Sequence, residues 1–310
     1  MNPPTDAAAA ASAVLDPGEL LYRPGLLQGQ RILVTGGGTG LGRVMAEAFL
    51  ILGAQVWICG RRAGVLQEAA AQMQQAHGGH VVGIPCDIRD HEAIGTMLDR
   101  IWSEGGPLTG LVNNAAGNFI SPTEKISPRG FDAISGIVFR GSFLVTQACG
   151  QRWLAAGTRA SVLSIVTTWV WNGSAFTVPS AMSKAGVQAM TQSLAVEWGP
   201  RGIRLNCIAP GLFPTEGMTA RLDPDGRNFA DITARNPLRR AGRMTELANL
   251  AVYLMSRGAE YVNGQTIAID GAEYQATGGN FSGLVSWTPD DWSRAAQAIQ
   301  RKDATDRQQR

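Results

Sequence analysis

Short apolar, β-branched runs alternate with longer stretches of helical periodicity along most of this chain. The runs predict strands over 31–34, 55–59, 80–84, 110–113, 161–166, 204–208 and 266–269. Each reads as continuously apolar rather than alternating, the pattern of a parallel strand covered on both faces. Helices are predicted between them, over 41–52, 64–76, 91–103, 129–156 and 180–198. Strand, helix, strand in steady succession means βαβ units. The expected fold class is α/β: a single doubly wound Rossmann-type domain, with a parallel sheet of about seven strands and helices on both faces.

The pattern lapses between Pro210 and Asn236, where prolines and glycines stand among polar residues. So long an irregular segment in a compact domain is expected to be a functional lid. A last helix is predicted from Thr288, where Thr288-Pro289-Asp290-Asp291 supplies an N-cap, a first-turn proline and acids for the helix dipole. Trp292, Ala295, Ala296 and Ile299 then share one face, which would pack on the body or on a partner subunit. The expected organisation is a partly disordered N-terminal tail over 1–27, a Rossmann-type cofactor-binding and catalytic domain over 28–275, and a C-terminal extension with a helix over 276–310.

Composition narrows the function classes. With 45% hydrophobic and 17% charged residues the chain is globular. A net charge of +2 carries no nucleic-acid footprint. No apolar run reaches the roughly 18 residues that span a bilayer, so no membrane segment is expected. Cys59, Cys86, Cys149 and Cys207 show no metal-ligand spacing and read as small buried apolar residues, and His77, His80 and His91 form no constellation. No metal site is expected. The first residues are Ala- and Pro-rich with no arginine before Arg23, which fits neither a secretory signal nor a transit peptide. The chain ends in Gln-Gln-Arg, not a peroxisomal tripeptide, and a cytoplasmic location is expected.

Candidate chemistry begins where the first strand runs into Thr35-Gly36-Gly37-Gly38-Thr39-Gly40-Leu41-Gly42. Glycines there let the backbone turn tightly and approach a pyrophosphate, and the following helix offers free N–H groups and its positive dipole end. Taken alone, the stretch is also compatible with an ordinary glycine-rich turn. The second strand ends in Gly60-Arg61-Arg62. NAD-specific sites place an acid there for the ribose hydroxyls, whereas arginine suits a 2′-phosphate, so NADP(H) is the expected cofactor.

The Thr35-to-Gly42 loop, Asn113-Asn114-Ala115-Ala116-Gly117 and Pro210-Gly211, in that order, resemble the short-chain dehydrogenase/reductase family over roughly residues 28–275. The resemblance implies a cofactor site built from Thr35, Gly36, Gly38, Thr39, Gly40, Leu41, Gly42, Arg61 and Arg62. It further implies contacts from Asp87 and Ile88 on the adenine side, from Asn113, Ala115, Lys184, Pro210, Gly211 and Phe213, and from Thr215 at the nicotinamide amide. It also implies a homotetramer, for which the helices over 129–156 and 180–198 are long and apolar enough.

The family's usual chemistry places a tyrosine four residues before the catalytic lysine. Lys184 matches the lysine, but Ser180 occupies the tyrosine position, and a serine hydroxyl is far too weak an acid to replace a phenol. Ordinary ketone reduction is disfavoured. Asn118-Phe119-Ile120-Ser121-Pro122-Thr123-Glu124, Val178-Pro179-Ser180-Ala181, Leu222-Asp223-Pro224 and the tail around Trp292 resemble mitochondrial-type 2,4-dienoyl-CoA reductases, which lack that tyrosine too. This implies an acyl-CoA substrate contacted by Asn118, Phe119 and Ser121. Two positions depart from that pattern: Trp169 stands where the mitochondrial enzyme has a tyrosine, and Arg140 replaces the family's helix asparagine. Thr167 keeps a hydroxyl at the position of the wider family's catalytic serine. The expected catalytic set is Lys184, Ser180, Thr167, Arg140 and Trp169. Two other readings stand beside it: a short-chain reductase of another carbonyl or enone, and a catalytically weak NADP(H)-binding regulatory protein.

Overall fold

The computed structural model describes residues 15–223, 227–278 and 281–308. Seven parallel strands form one sheet in the order β3-β2-β1-β4-β5-β6-β7. They are β1 (Arg31–Thr35), β2 (Gln55–Gly60), β3 (Val81–Pro85), β4 (Gly110–Asn113), β5 (Ala160–Ile165), β6 (Ile203–Pro210) and β7 (Thr266–Ile269). The first helices are α1 (Gly40–Ile51), α2 (Ala63–His77) and α3 (His91–Gly105). Strand side chains alternate between faces. In β1, Ile32 and Val34 therefore enter a core shared with α1 and α2, while Leu33 enters one shared with α3. Helices on both faces bury the central strands, which is why those runs read as continuously apolar.

The single helix expected over 129–156 is three segments. These are α4 (Pro128–Ser135), a π-helical turn (Gly136–Gly141) and α5 (Ser142–Ala156). A Cβ on Gly141 would lie 2.8 Å from the Ile88 side chain, and one on Gly186 would lie 2.6 Å from the Phe139 ring, so both glycines leave room for neighbours packed on this turn. After β5 come α6 (Trp169–Asn172) and α7 (Val178–Trp198).

Two short helices, α8 (Glu216–Leu222) and α9 (Asn228–Arg235), occupy the segment expected to be irregular. Capping explains them, not periodicity. The Met218 N–H donates to Thr215 Oγ1 at 3.3 Å, and the Asn228 N–H donates to the buried Asp223 carboxylate at 2.8 Å. Of the Leu222-Asp223-Pro224 motif, Pro224 lies outside the described residues. α10 (Met244–Met255) packs on the β1 side of the sheet, and α11 (Glu273–Ala276) follows β7.

Residues 1–14 lie outside the described residues, but Leu15, Leu20 and Leu27 are buried in the main core, and the Tyr22 hydroxyl donates to the Asn249 carbonyl at 2.8 Å. From residue 15 onward the expected tail is thus packed structure. α12 (Pro289–Gln308) starts as the sequence predicts, with the Thr288 hydroxyl accepting from the Asp291 N–H at 3.2 Å. Its Trp292 packs edge-on against Trp287 with ring centroids 4.9 Å apart, while Trp292 and Ile299 both keep exposed surface. Among the described residues no helix is long and apolar enough to cross a membrane, and no group of residues could hold a metal ion.

Candidate active site

The strand order reverses between β1 and β4, and the carboxyl ends of these strands open onto a cleft of about 580 Å³. The β1–α1 loop forms its floor. Gly36 adopts φ +65°, and a Cβ there would lie 2.9 Å from the Ala115 Cα, so only glycine lets the two loops meet. Thr39 is the N-cap of α1 and makes no side-chain cap bond, which leaves the first N–H groups of α1 facing the cleft.

Several residues expected to touch the cofactor instead hold this loop from behind. Thr35 is buried and outside the cleft lining. Its hydroxyl donates to the Val112 carbonyl at 3.2 Å and accepts from the Asn114 and Ala115 N–H groups at 3.0 Å each, which uses its full capacity. Gly42 is buried because a Cβ there would come within 2.4 Å of the Gly36 carbonyl oxygen and of Asn114 Nδ2. Asn113 points into the core, where its Nδ2 donates to Thr146 Oγ1 at 2.8 Å and Ser164 Oγ at 3.3 Å, and its Oδ1 has no partner. Phe213 is a core residue packed against Gly242.

The end of the cleft at β2 and β3 carries the charges. Arg61 and Arg62 are exposed and line the cleft, as do Asp87 and Ile88. Arg89 grips Asp87 through Nε at 3.0 Å and through Nη2, and holds the Asp87 carboxyl below the usual carboxylate range. That pairing leaves the two arginines as the uncompensated charge.

At the other end, Ser180, Lys184, Thr167 and Trp169 line one wall. Ser180 and Lys184 lie one turn apart on α7 and are both buried. Lys184 Nζ donates to the Ile165 carbonyl at the end of β5. Burial pushes its pKa down to about 8. None of the chain's four tyrosines lines the cleft: Tyr22, Tyr253, Tyr261 and Tyr274 all lie elsewhere. Pro210, Gly211, Thr215, Gly38, Gly40, Leu41 and Ala115 complete the expected lining.

Of the proposed substrate contacts, Asn118 lines the cleft and the other two do not. Phe119 packs beside Gly130, and Ser121 is tied by its N–H to the Phe176 carbonyl at 2.9 Å. Phe176 itself has φ +64°, a strained conformation for a bulky residue, directly before α7.

Arg140 stands apart from the other four catalytic candidates. It stands on the π-helical turn, exposed and outside the cleft lining, and its Nη1 donates to the Arg89 carbonyl at 2.6 Å. The extra residue in that turn rotates the helical positions beyond it, which the sequence position alone does not disclose. Arg140→Ala is expected to leave kcat and KM within about twofold of the parent, the scale of an exposed substitution. A steady-state comparison with the preferred substrate checks this.

The cleft also holds residues to which the sequence assigns no role. Asn114 lines it and donates through Nδ2 to the Thr35 and Gly36 carbonyls at 3.0 and 3.2 Å. Met218, Arg221 and Leu222 reach it from α8. Leu222 stands in a recognised motif, whereas nothing local marks Arg221. Behind Gly211, Glu273 Oε2 is buried without a partner. Burial first, and then the Asp270 charge, raise the Glu273 pKa. A folded-state pKa above the unfolded value means stability that is present at low pH and lost as pH rises through the folded value. Glu273→Gln is therefore expected to raise the melting temperature at pH 7.5 and leave it unchanged at pH 4, as thermal unfolding at the two pH values would report.

A doubly wound sheet, a glycine loop at the switch point and a buried lysine on the helix beside it define a nucleotide-dependent oxidoreductase. The family model described as Enoyl-(Acyl carrier protein) reductase matches residues 36–272. The chain belongs to the short-chain dehydrogenase/reductase family. It is 38% identical over 286 residues to a Caenorhabditis elegans protein named Probable 2,4-dienoyl-CoA reductase 3, covering 90% of this chain and 92% of that one. It is 33% identical over 266 residues to the Peroxisomal 2,4-dienoyl-CoA reductase of Danio rerio, covering 86% and 88%. A crystal structure of a short-chain dehydrogenase from Bacillus anthracis superposes with TM-score 0.73 at 37% identity, over 80% of this chain and 98% of that one. A gluconate 5-dehydrogenase from Burkholderia cenocepacia, in complex with NADP and tartrate, does so with TM-score 0.75 at 28% identity, over 80% and 96%. The likeness is thus to 2,4-dienoyl-CoA reductases as a group and not to the mitochondrial type in particular.

Proposed function

We propose that this chain is an NADPH-dependent reductase of a conjugated acyl thioester, a 2,4-dienoyl-CoA. The observation that carries the reading is the pairing of a buried Lys184 with Ser180 in a cleft that no tyrosine lines. The relatives' names and the matched family model, described as Enoyl-(Acyl carrier protein) reductase, support it.

Bound NADPH supplies the hydride. Delivery to the far carbon of a conjugated thioester places negative charge on the thioester oxygen, which hydrogen-bond donors stabilise until the dienolate takes up a proton from solvent at carbon. The Ser180 and Thr167 hydroxyls and the Trp169 indole N–H are the neutral donors on that wall. Lys184 adds the positive charge, fixed by the Ile165 carbonyl. Arg61 and Arg62 hold the 2′-phosphate, and the loop from Gly36 to Gly40 with the α1 N-terminus receives the pyrophosphate.

Assembly as a homotetramer belongs to the same reading, since Phe139, Phe143 and Met182 expose apolar surface on the π-helical turn, α5 and α7.

The test is a panel of 2,4-dienoyl-, 2-enoyl- and 3-ketoacyl-CoA substrates with NADPH, followed at the cofactor's absorbance. Oxidation stimulated chiefly by the dienoyl thioester is expected. Preference for the 3-ketoacyl substrate would overturn the reading in favour of carbonyl reduction. No stimulation by any thioester would favour a cofactor-binding protein without this catalysis.

A further inference from the structure

At the opposite end of the sheet, the amino-terminal ends of β4, β5 and β6 and the turn after α10 enclose a second cleft of about 350 Å³. It shares no residue with the cofactor cleft. Three guanidinium groups line it, from Arg159, Arg204 and Arg257, and Glu260 is its one carboxylate. Arg204 is the most enclosed. It donates to the carbonyls of Leu254 at 3.0 Å, Val262 at 3.2 Å and Ser256 at 3.3 Å. Carbonyl oxygens satisfy its N–H groups but leave its charge uncompensated.

Burial disfavours the charge on Arg204, the Glu260 carboxylate opposes that effect, and Arg159 adds to it. Glu260 lies 3.6 Å from Arg257, a loose pair at an exposed rim. Arg159 makes no hydrogen bond or ion pair among the described residues, and its charge lies close enough to Arg204 to disfavour the protonated state of that guanidinium. Its stem is held in place, because it crosses Gly202, where a Cβ would lie 2.9 Å from the Arg159 Cγ. Three cations against one anion leave the cleft two positive charges in excess. Arg204 is half-buried while Arg159 and Arg257 are exposed at the rim, and guanidinium groups gathered around one cleft bind oxyanions through charge-assisted hydrogen bonds.

We propose that this cleft is a binding site for a small multivalent oxyanion, a phosphoryl or polycarboxylate group, separate from the cofactor and substrate site. Its walls are the first residues of three adjacent central strands and the end of α10, so an occupant ties elements that are distant in sequence. Occupancy stabilises the fold by mass action.

The test is thermal unfolding of the full chain saturated with NADPH, which keeps added anions out of the cofactor cleft. Pyrophosphate, citrate and sodium chloride are titrated at matched ionic strength, on the parent and on the R159Q/R257Q double variant. A saturable rise of several degrees with pyrophosphate or citrate, absent with chloride and lost in the double variant, is expected. Which of the two acts tells a phosphoryl from a carboxylate ligand. An equal rise with chloride reduces the effect to screening and overturns the proposal. So does a rise that survives in the double variant, or no rise at all. Steady-state turnover of the double variant at the parent's rate shows that it folds and that the cleft is not part of the catalytic site.

Discussion

Lys184→Ala is expected to abolish measurable turnover, a loss of at least about 10²–10³, the scale of removing one preorganised charge-stabilising group. It should also weaken NADPH binding while leaving the fold intact. Lys184 is the one cation on the catalytic wall, and the Ile165 carbonyl aims its ammonium at the cleft. Burial that lowers its pKa to about 8 also makes the charge costly in the empty protein. In the folded state it is neutral above about pH 8, whereas the unfolded chain stays protonated to near the ordinary lysine value of 10.5. Stability of the cofactor-free protein attributable to this group is therefore present at high pH and lost as pH falls through about 8. One residue thus sets two measurements. The kcat/KM profile should fall as pH rises through about 8, since that ratio reports the free enzyme. Lys184→Met should raise the melting temperature of the cofactor-free protein at pH 7 while eliminating activity. Near-normal turnover in either variant would place the catalytic centre elsewhere.

The strands are legible in the sequence because each is a short apolar run ended by turn residues, and burial on both faces preserves that run intact. The glycine loop, the Arg61-Arg62 pair and the Ser180–Lys184 spacing are legible for the same reason: local geometry ties each to one strand end or one helix turn. The features that escape the sequence depend on contacts from afar. The π-helical turn at Gly136–Gly141 carries Arg140, which lies outside the cleft lining, and its neighbours Ile88 and Gly186 come from distant parts of the chain. Thr35, Gly42 and Asn113 belong to the recognised motifs, yet each spends its chemistry inside the protein. A motif residue can be essential because it shapes the loop that binds, without touching the ligand. α8 brings Arg221 to the cleft through caps on a segment with no apolar periodicity, which pattern reading has no means to place.

The second large effect concerns cofactor choice. NADPH is expected to bind about ten- to a hundredfold tighter than NADH, which corresponds to a charge-assisted hydrogen bond of about 1.5–3 kcal/mol. The 2′-phosphate is the only difference between the two ligands, and Arg61 and Arg62 are the cations lining the adenine end. Asp87 is the acid beside them, and in a bare cleft it would repel that phosphate. Arg89 neutralises it through paired contacts, so the repulsion is cancelled locally and the two arginines act unopposed. Arg61→Asp removes one cation and creates an unpaired anion within reach of the ribose. The preference should then close or invert, with NADPH weakened by about 10²-fold and NADH held or improved, since a carboxylate can accept from the free 2′-hydroxyl. Because both arginines are exposed, the parent's preference should also shrink as salt is raised, over the range where the screening length falls from about 10 Å toward 3 Å. Calorimetric titration of both cofactors at low and high salt, on parent and variant, gives all four comparisons. Equal dissociation constants for the parent at low salt would mean that these arginines do not read the phosphate. A salt-independent preference would mean instead that a buried group does, and among the described lining residues at that end only Arg61 and Arg62 offer an unpaired positive charge.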